Sequence, residues 1–283
     1  EVAPALIFAT LGATLSERAG VINVGVEGMM RAGAFAAAAT SIVVPTPLGV
    51  VGGMAAGTLL ALVHAWLCIV QRSNQVVVGM SLNLLMVALT SFLLETVFSS
   101  PSNTPPIVQL PRWLGFSPLT WLAMGAPWMI HWIIAQTPFG LHLRAAGEKP
   151  QALAVMGVHV IRLRTISVCL GGALCGLGGA VLSAATLDRF EHHMPSGLGF
   201  MAVAAMVFGR WTPLGATAAA VFFSFGNALR ISLASSIPDL FQLVPQGWLL
   251  ALPYVLTIAL LAMRGQRSAA PAALGVPYDP EVR

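Results

Sequence analysis

The residues able to do chemistry are few in this 283-residue chain: 14 Lys and Arg, 10 Asp and Glu, six His and three Cys. The single lysine, Lys149, stands between Glu148 and Pro150. A phosphate-binding P-loop needs a Gly-rich turn whose lysine is followed by Ser or Thr, and Lys149 is followed by proline. If ATP drives this protein, another polypeptide binds it. Asp188, Glu191, His192 and His193 are of metal-ligating types, yet adjacent histidines lack the facial spacing that zinc ligands use. They suit a solvated loop or contact with an extracytoplasmic partner. Cys68, Cys169 and Cys175 each lie inside apolar runs without paired-ligand spacing, as buried core residues do. No Ser, His and Asp constellation, paired carboxylates or nucleotide loop stands out, so the sequence predicts neither catalysis, nor a metal, nor a cofactor held by this chain.

Three other polar groupings interrupt apolar sequence. The first is LRAAGEKPQALAVMGVHVIRLR, residues 143–164. Pro150 fits the first turn of a helix and Gly157 its C-terminal cap, which predicts a helix of about two turns. Ala152, Leu153 and Met156 fall on one face of it. Held by two spans, such a helix is a knob for a groove on a soluble partner; the alternative is a turn lying on lipid headgroups. The second is SERAGVINVGVEGMM, residues 16–30, where Glu17, Arg18, Asn23 and Glu27 mix with Gly20, Gly25 and Gly28. That composition predicts a broken helix, the device transporters use to line substrate sites. Glu27 also stands four residues before Arg31, the spacing of a helical ion pair, so Asn23 and Glu27 are read either as structural or as substrate contacts. The third is the 75–98 run, where Gly79, Asn83, Met86 and Thr90 share a helical face that should not meet lipid. It lines a passage or packs on a neighbour. Glu95, near the outer end of this run, marks a vestibule or is an interfacial residue. Asn227 and Arg230, after Phe223 on the same helix face, form a polar element of a passage unless Arg230 snorkels to the outer surface.

The elements that position these residues follow from composition. Only 8% of residues are charged and 57% are apolar, against roughly a quarter charged in a soluble domain. The sequence predicts an all-α, polytopic transmembrane bundle of about nine or ten membrane segments, some broken or short. The segments expected are 2–15, 28–44, 48–70, 75–98, 118–136, 164–187, 197–209, 213–235 and 243–263. The first is short for a span, which suggests residues upstream. Residues 1–264 read as one membrane domain with a cytoplasmic loop at about 137–164, and 265–283 as a cytoplasmic tail, mobile or docking. Arg144, Lys149, Arg162 and Arg164, with Arg264 and Arg267, place that loop and the C-terminus in the cytoplasm by the positive-inside rule. Segments 99–117 and 188–196 then lie outside. The net charge of +4 is spread over span ends, which argues against a nucleic-acid partner. Gly53 and Gly57, like Gly172 and Gly176, have the spacing of close helix contacts, inside one chain or between two.

Five segments, SERAGVINVGVEGMM, NQVVVGMSLNLL (74–85), LRAAGEKPQALAVMGV (143–158), FGRWTPLGA (208–216) and APAALGVPYDPE (270–281), together resemble the permeases of bacterial nucleoside ABC importers. These belong to the wider group of ribose and branched-chain amino acid permeases. The resemblance implies a multi-pass protein of the inner membrane that moves a nucleoside or nucleobase between two related permease chains. An extracytoplasmic lipoprotein would deliver the substrate, and a cytoplasmic ABC ATPase subunit would bind ATP and Mg and act through residues 144–157. In that loop Arg144, Gly147, Ala152 and Gly157 match the family's pattern, with Glu148, Lys149, Pro150, Leu153 and Met156 between them. Asn23, Gly25, Glu27 and Gly28 match the broken-helix motif, and Asn74, Gln75 and Asn83 that of the following span. With Met86, Thr90 and Asn227 these polar positions are the passage candidates. Lys149 departs from the asparagine that relatives commonly carry. The competing readings are a permease for a simple sugar such as ribose, and an ion-coupled secondary transporter using Glu27 and Glu95.

Overall fold

The computed structural model describes residues 2–236 and 270–279, with side chains described to residue 228 and again from 270. Ten α-helices occur among the described residues, and β structure is limited to two isolated bridges. They are α1 (Ala3–Arg18), α2 (Val26–Ser41), α3 (Thr46–Ala65), α4 (Gln75–Phe98), α5 (Pro118–Gln136), α6 (Pro138–Glu148), α7 (Pro150–Val155), α8 (Val160–Val181), α9 (Leu198–Phe208) and α10 (Pro213–Ser236). Single π-helical turns, Trp66–Val70 and Leu182–Thr186, continue α3 and α8. Eight of the nine expected segments are present with ends shifted by a few residues; the ninth, 243–263, lies outside the described residues, as do Arg264, Arg267 and the side chain of Arg230. Among the described residues three helices are long and apolar enough to cross a membrane: Thr46–Val70, Gln75–Phe98 and Val160–Thr186.

Helix starts follow local chemistry. Asn74 accepts the N–H groups of Val76 and Val77 at the start of α4, and Ser117 and Thr137 cap α5 and α6 ahead of Pro118 and Pro138. Thr137 is extended, so the chain turns sharply there and Gly140 of α6 packs directly on the carbonyls of Ile133 and Ile134. The segment expected to be a loop at 137–164 is therefore mostly helical.

The centre of the bundle is α8, against which α1, α2 and α3 all pack. Glycines make this possible. A Cβ on Gly57 would run into the Gly172 carbonyl, one on Gly176 into that of Gly53, one on Gly171 into that of Gly12, and one on Gly179 into that of Met30. Backbones thus touch, and van der Waals contact, the main attraction between helices in lipid, is maximal. The Gly53, Gly57, Gly172 and Gly176 pattern is an internal contact. By contrast α4 keeps one face on α2 and turns Val77, Met80, Leu84, Phe92 and Val97 outward.

The two ends of the bundle differ. Residues 102–110 run alongside 184–192, joined by N–H bonds from Thr104 to Phe190, Ile107 to Asp188, Leu110 to Ala184 and His192 to Ser102. The opposite end of α8 carries α6, α7 and residues 270–279.

A helix break, an exposed helix face and their relatives

Residues Ala19–Gly25 form the break between α1 and α2, and polar side chains from other helices satisfy its backbone. The Ile22 N–H donates to Gln75 Oε1 at 2.6 Å, and the Ile22 carbonyl meets His64 Nε2 at 3.1 Å. Asn83 bridges the end of the break: its Nδ2 donates to the Val24 carbonyl at 2.9 Å, and its Oδ1 accepts the Gly28 N–H at 2.7 Å. Gly79 sits directly on Val24 and Gly25. The polar stripe of α4 therefore faces a neighbour. Met86 and Thr90 lie on the same buried face, and Thr90 Oγ1 bonds back to the Met86 carbonyl. Asn23 is fully buried, donates to Ser16 Oγ at 3.3 Å, and leaves its Oδ1 without a partner. Replacing Asn83 with leucine would orphan the Val24 carbonyl and the Gly28 N–H. A destabilisation of about 2–3 kcal/mol is expected, seen as a lower unfolding midpoint in detergent. A fall in flux at an unchanged midpoint would contradict this packing role.

Glu27 and Arg31 do not pair as their spacing suggests. Both oxygens of Glu27 accept backbone N–H groups at the start of α9, from Gly197 at 2.7 Å and Gly199 at 2.6 Å, and Arg31 Nη1 donates to the His192 carbonyl at 2.7 Å. The start of α9 has no cap of its own, so its orphan donors attract the carboxylate more effectively than an arginine one turn away. His192 Nδ1 lies 3.2 Å from Ser91 Oγ, and Asp188 pairs with Arg189. No group of three or more His, Cys, Asp or Glu among the described residues could hold a metal ion. Of the remaining candidates, Asn74 is an exposed helix cap and Gln75 a buried backbone partner. Asn227 lines a cavity of about 300 Å3 between the start of α1 and α10, with Ser224 and Phe225. A neighbouring cavity of about 260 Å3, lined by Ile7, Arg112, Ser117, Thr120 and Thr186 among others, shares Ala3 and Val221 with it.

At the other end α7 is six residues long and its turn closes at Gly157, whose φ of +83° favours glycine. The face grouping Ala152, Leu153 and Met156 is split. Leu153 is 2% exposed and packs in a small cluster with Ala146, Val160 and Leu163, whereas Val155 is 89% and Met156 77% exposed, and Ala152 is also exposed. Six residues make less than two turns, so only one side chain can point fully inward while its neighbours are left in the open. Glu148 and Lys149 are exposed, Pro150 is buried, and Arg144 is half-buried with its Nε 3.4 Å from the Gly140 carbonyl. Gly147 is buried beneath this face, pressed on the Arg18 carbonyl and on Pro271.

Sequence reasoning missed the residues that lock the lower end together. Trp211 Nε1 donates to Glu17 Oε2 at 2.7 Å, while Arg18 Nε donates to the Trp211 carbonyl at 2.7 Å, tying the α9–α10 turn to the end of α1. Arg164, 1% exposed, donates to the carbonyls of Ala146 and Val276, both at 3.1 Å. FGRWTPLGA carried a signal as a motif but none about its partners.

Comparison with known proteins yields a family. Residues 2–261 match the family described as "Branched-chain amino acid transport system / permease component". The guanosine ABC transporter permease protein NupQ of Bacillus subtilis is 37% identical over 297 residues, covering 96% of this chain and 92% of its own. The nucleoside ABC transporter permease protein NupC of Lactococcus lactis is 33% identical, with the same coverage of 96% and 92%. The putative glucose ABC transporter permease protein TsgC13 of Haloferax volcanii is 34% identical, covering all of this chain and 96% of its own. No solved structure matches the chain significantly. The glycine-packed bundle of apolar helices, its broken first helix and these matches agree, and the chain belongs to the branched-chain amino acid transport system permease family.

Proposed function

We propose that the chain is the membrane permease subunit of an ATP-driven importer of nucleosides, or of the nucleobases related to them. The observation that carries the ATP-driven part is the outer face of α7. Ala152, Val155 and Met156 present an apolar patch on a helix whose underside is clamped by Leu153 and whose end is fixed by Gly157. A rigid apolar knob among Lys149, Arg162 and His159 fits a groove on a soluble partner, because docking it requires little further ordering. The partner is a cytoplasmic ABC ATPase subunit, which holds the ATP and Mg that this chain has no loop to bind; the α7 end and the C-terminus then face the cytoplasm. The opposite end, where the two cavities open and residues 102–110 lie against 184–192, receives the substrate from an extracytoplasmic binding lipoprotein. The outward apolar faces of α4 and α5 meet lipid or a second, related permease chain in the inner membrane.

The nucleoside assignment is supported by NupQ and NupC, whose names specify guanosine and nucleosides. The sugar reading has support in TsgC13, named for glucose, so a substrate panel that includes ribose and glucose separates them. The docking reading is tested by Val155→Asp with Met156→Asp. Both side chains are exposed, so the doubly substituted chain is expected to accumulate normally, while co-purification of its ATPase falls about tenfold or more through burying two carboxylates in an apolar groove. Undiminished capture of the ATPase would contradict the assignment.

A further inference from the structure

The C-terminal segment 270–279 crosses the α7 end of the bundle and bonds to four elements there. The Ala273 N–H donates to the Gly147 carbonyl at the end of α6 at 2.8 Å, and the Ala272 N–H lies 3.3 Å from Glu148 Oε2. The Gly275 N–H donates to the Gly20 carbonyl, at the start of the helix break, at 3.2 Å. The Val276 carbonyl accepts from Arg164 of α8, the same guanidinium that holds Ala146 of α6. Asp279 receives two bonds from Arg72, in the turn before α4, at 2.8 and 3.1 Å. Side chains follow the same route: Leu274 packs on the main core, and Tyr278 on the cluster that contains Leu153 of α7.

The fit is close at glycines. Gly275 has φ +77° and a Cβ there would lie 2.7 Å from Ile22 Cδ1, while Gly20 has φ +89° and a Cβ there would lie 2.7 Å from Arg164 Nη2 and 3.2 Å from the Ala273 carbonyl. Both positions adopt a left-handed backbone conformation that L side chains rarely take, so a side chain at either strains the contact between segment and break. The segment is therefore a strap with one part fixed to the α6–α7 unit and the next fixed to the break between α1 and α2, where Gln75 and Asn83 also bind.

Resting on the permease reading above, we propose that residues 270–279 are a positioning element for transport: they link the position of α7 to the conformation of the Ala19–Gly25 break, so that movement imposed on α7 by its ATPase reaches the core. α7 packs mainly on α6 and α8, and α6 touches the end of α1 where Gly147 meets the Arg18 carbonyl; the strap adds hydrogen bonds to both the Gly147 and the Gly20 carbonyls.

The test compares the wild-type chain, the chain ended after residue 269, and Gly275→Val, each assembled with its ATPase and partner permease in proteoliposomes. ATP hydrolysed per nucleoside taken up is the readout, because a merely structural contact would lower both quantities together. Gly275→Val strains the strap at its left-handed position and meets in the bundle only the Cδ1 end of the Ile22 side chain, which can turn aside, so it covers failure of the truncated chain to assemble. In both variants hydrolysis is expected to stay within about threefold of wild type while the ratio of hydrolysis to uptake rises about tenfold, the scale of losing one or two hydrogen bonds from a coupled state. Arg72→Glu should act in the same direction by about fivefold or less, as an exposed pair does, and Asp279→Arg added to it should restore the ratio. An unchanged ratio in Gly275→Val overturns the proposal, as does a parallel loss of hydrolysis and uptake in both variants. Absence of ATP-dependent uptake by the wild-type complex overturns the importer reading and this proposal together, whereas wild-type uptake with an unaltered ratio overturns the strap alone.

Discussion

Gly57→Val is expected to reduce the folded chain recovered from membranes about tenfold or more. The new Cβ would occupy the place of the Gly172 carbonyl oxygen and come 2.7 Å from the Gly176 Cα, both parts of the central helix. Neither can give way. Gly172 and Gly176 meet Gly57 and Gly53 backbone to backbone, and the other sides of α8 are held by α1 and α2 in the same manner, through Gly171 against Gly12 and Gly179 against Met30. The α3 and α8 axes must move apart, which removes close contact along the whole shared face; overpacking of this kind costs about 1–3 kcal/mol at a yielding site and more at a rigid one. In lipid the loss is not offset by apolar burial, because the surrounding hydrocarbon is as apolar as the helix. Gly125→Ala is the control. Nothing lies within 4 Å of a Cβ there, so the alanine chain should accumulate as wild type does. Levels in the membrane fraction and the monodisperse fraction in detergent read the effect, and a valine chain as abundant as wild type would contradict the packing account.

Glu27→Leu is the second large effect, expected to lower uptake about tenfold to a hundredfold while the chain still reaches the membrane. Its carboxylate supplies, from α2, the cap that α9 lacks. Without it the N–H groups of part-buried Gly197 and buried Gly199 lose their acceptor, at about 1–3 kcal/mol for the buried one and less for the other. The cost falls on one junction, where Gly199 already touches the Glu27 backbone, and so on the geometry between the break and α9 more than on the α8 core. Glu27→Gln keeps one carbonyl acceptor and should fall between leucine and wild type. The same pair of variants addresses the ion-coupled reading, which requires the carboxylate to take up and release an ion. A carboxylate committed to two backbone donors is a structural cap. Uptake by Glu27→Gln should therefore respond to an imposed pH gradient as wild type does, and a gradient dependence that disappears with the substitution would favour the secondary transporter.

How much of this was legible in the sequence varied with the kind of contact. The expected segment 118–136 coincides with α5, whose ends at Pro118 and Gln136 carry local signals, because caps and prolines act locally. The break was legible from Gly20, Gly25 and the charges around them, and α7 from Pro150 and Gly157. The partners were not. Asn83 reaches the Gly28 N–H across 55 residues of chain and Glu27 reaches Gly197 across 170, distances over which one sequence carries no register. Helical spacing put Leu153 with Met156, but α7 is too short for spacing to define a face, and the cluster around Val160 and Leu163 decides which residue turns inward. In sequence the strap looks like a tail, because an extended segment held by backbone bonds has no apolar period; Gly275 is its one local mark. The glycine pairs of α3 and α8 were legible as a close contact, while their belonging to one chain needed the fold.

The most direct test of the central claim is uptake of radiolabelled guanosine, adenosine, uridine, ribose and glucose into vesicles containing this chain with its ATPase and partner permease, with and without ATP on the cytoplasmic side. The account predicts nucleoside uptake that requires ATP, is abolished by the Val155→Asp, Met156→Asp chain, and exceeds uptake of either sugar. Nucleoside uptake that proceeds without ATP and follows an ion gradient would contradict it.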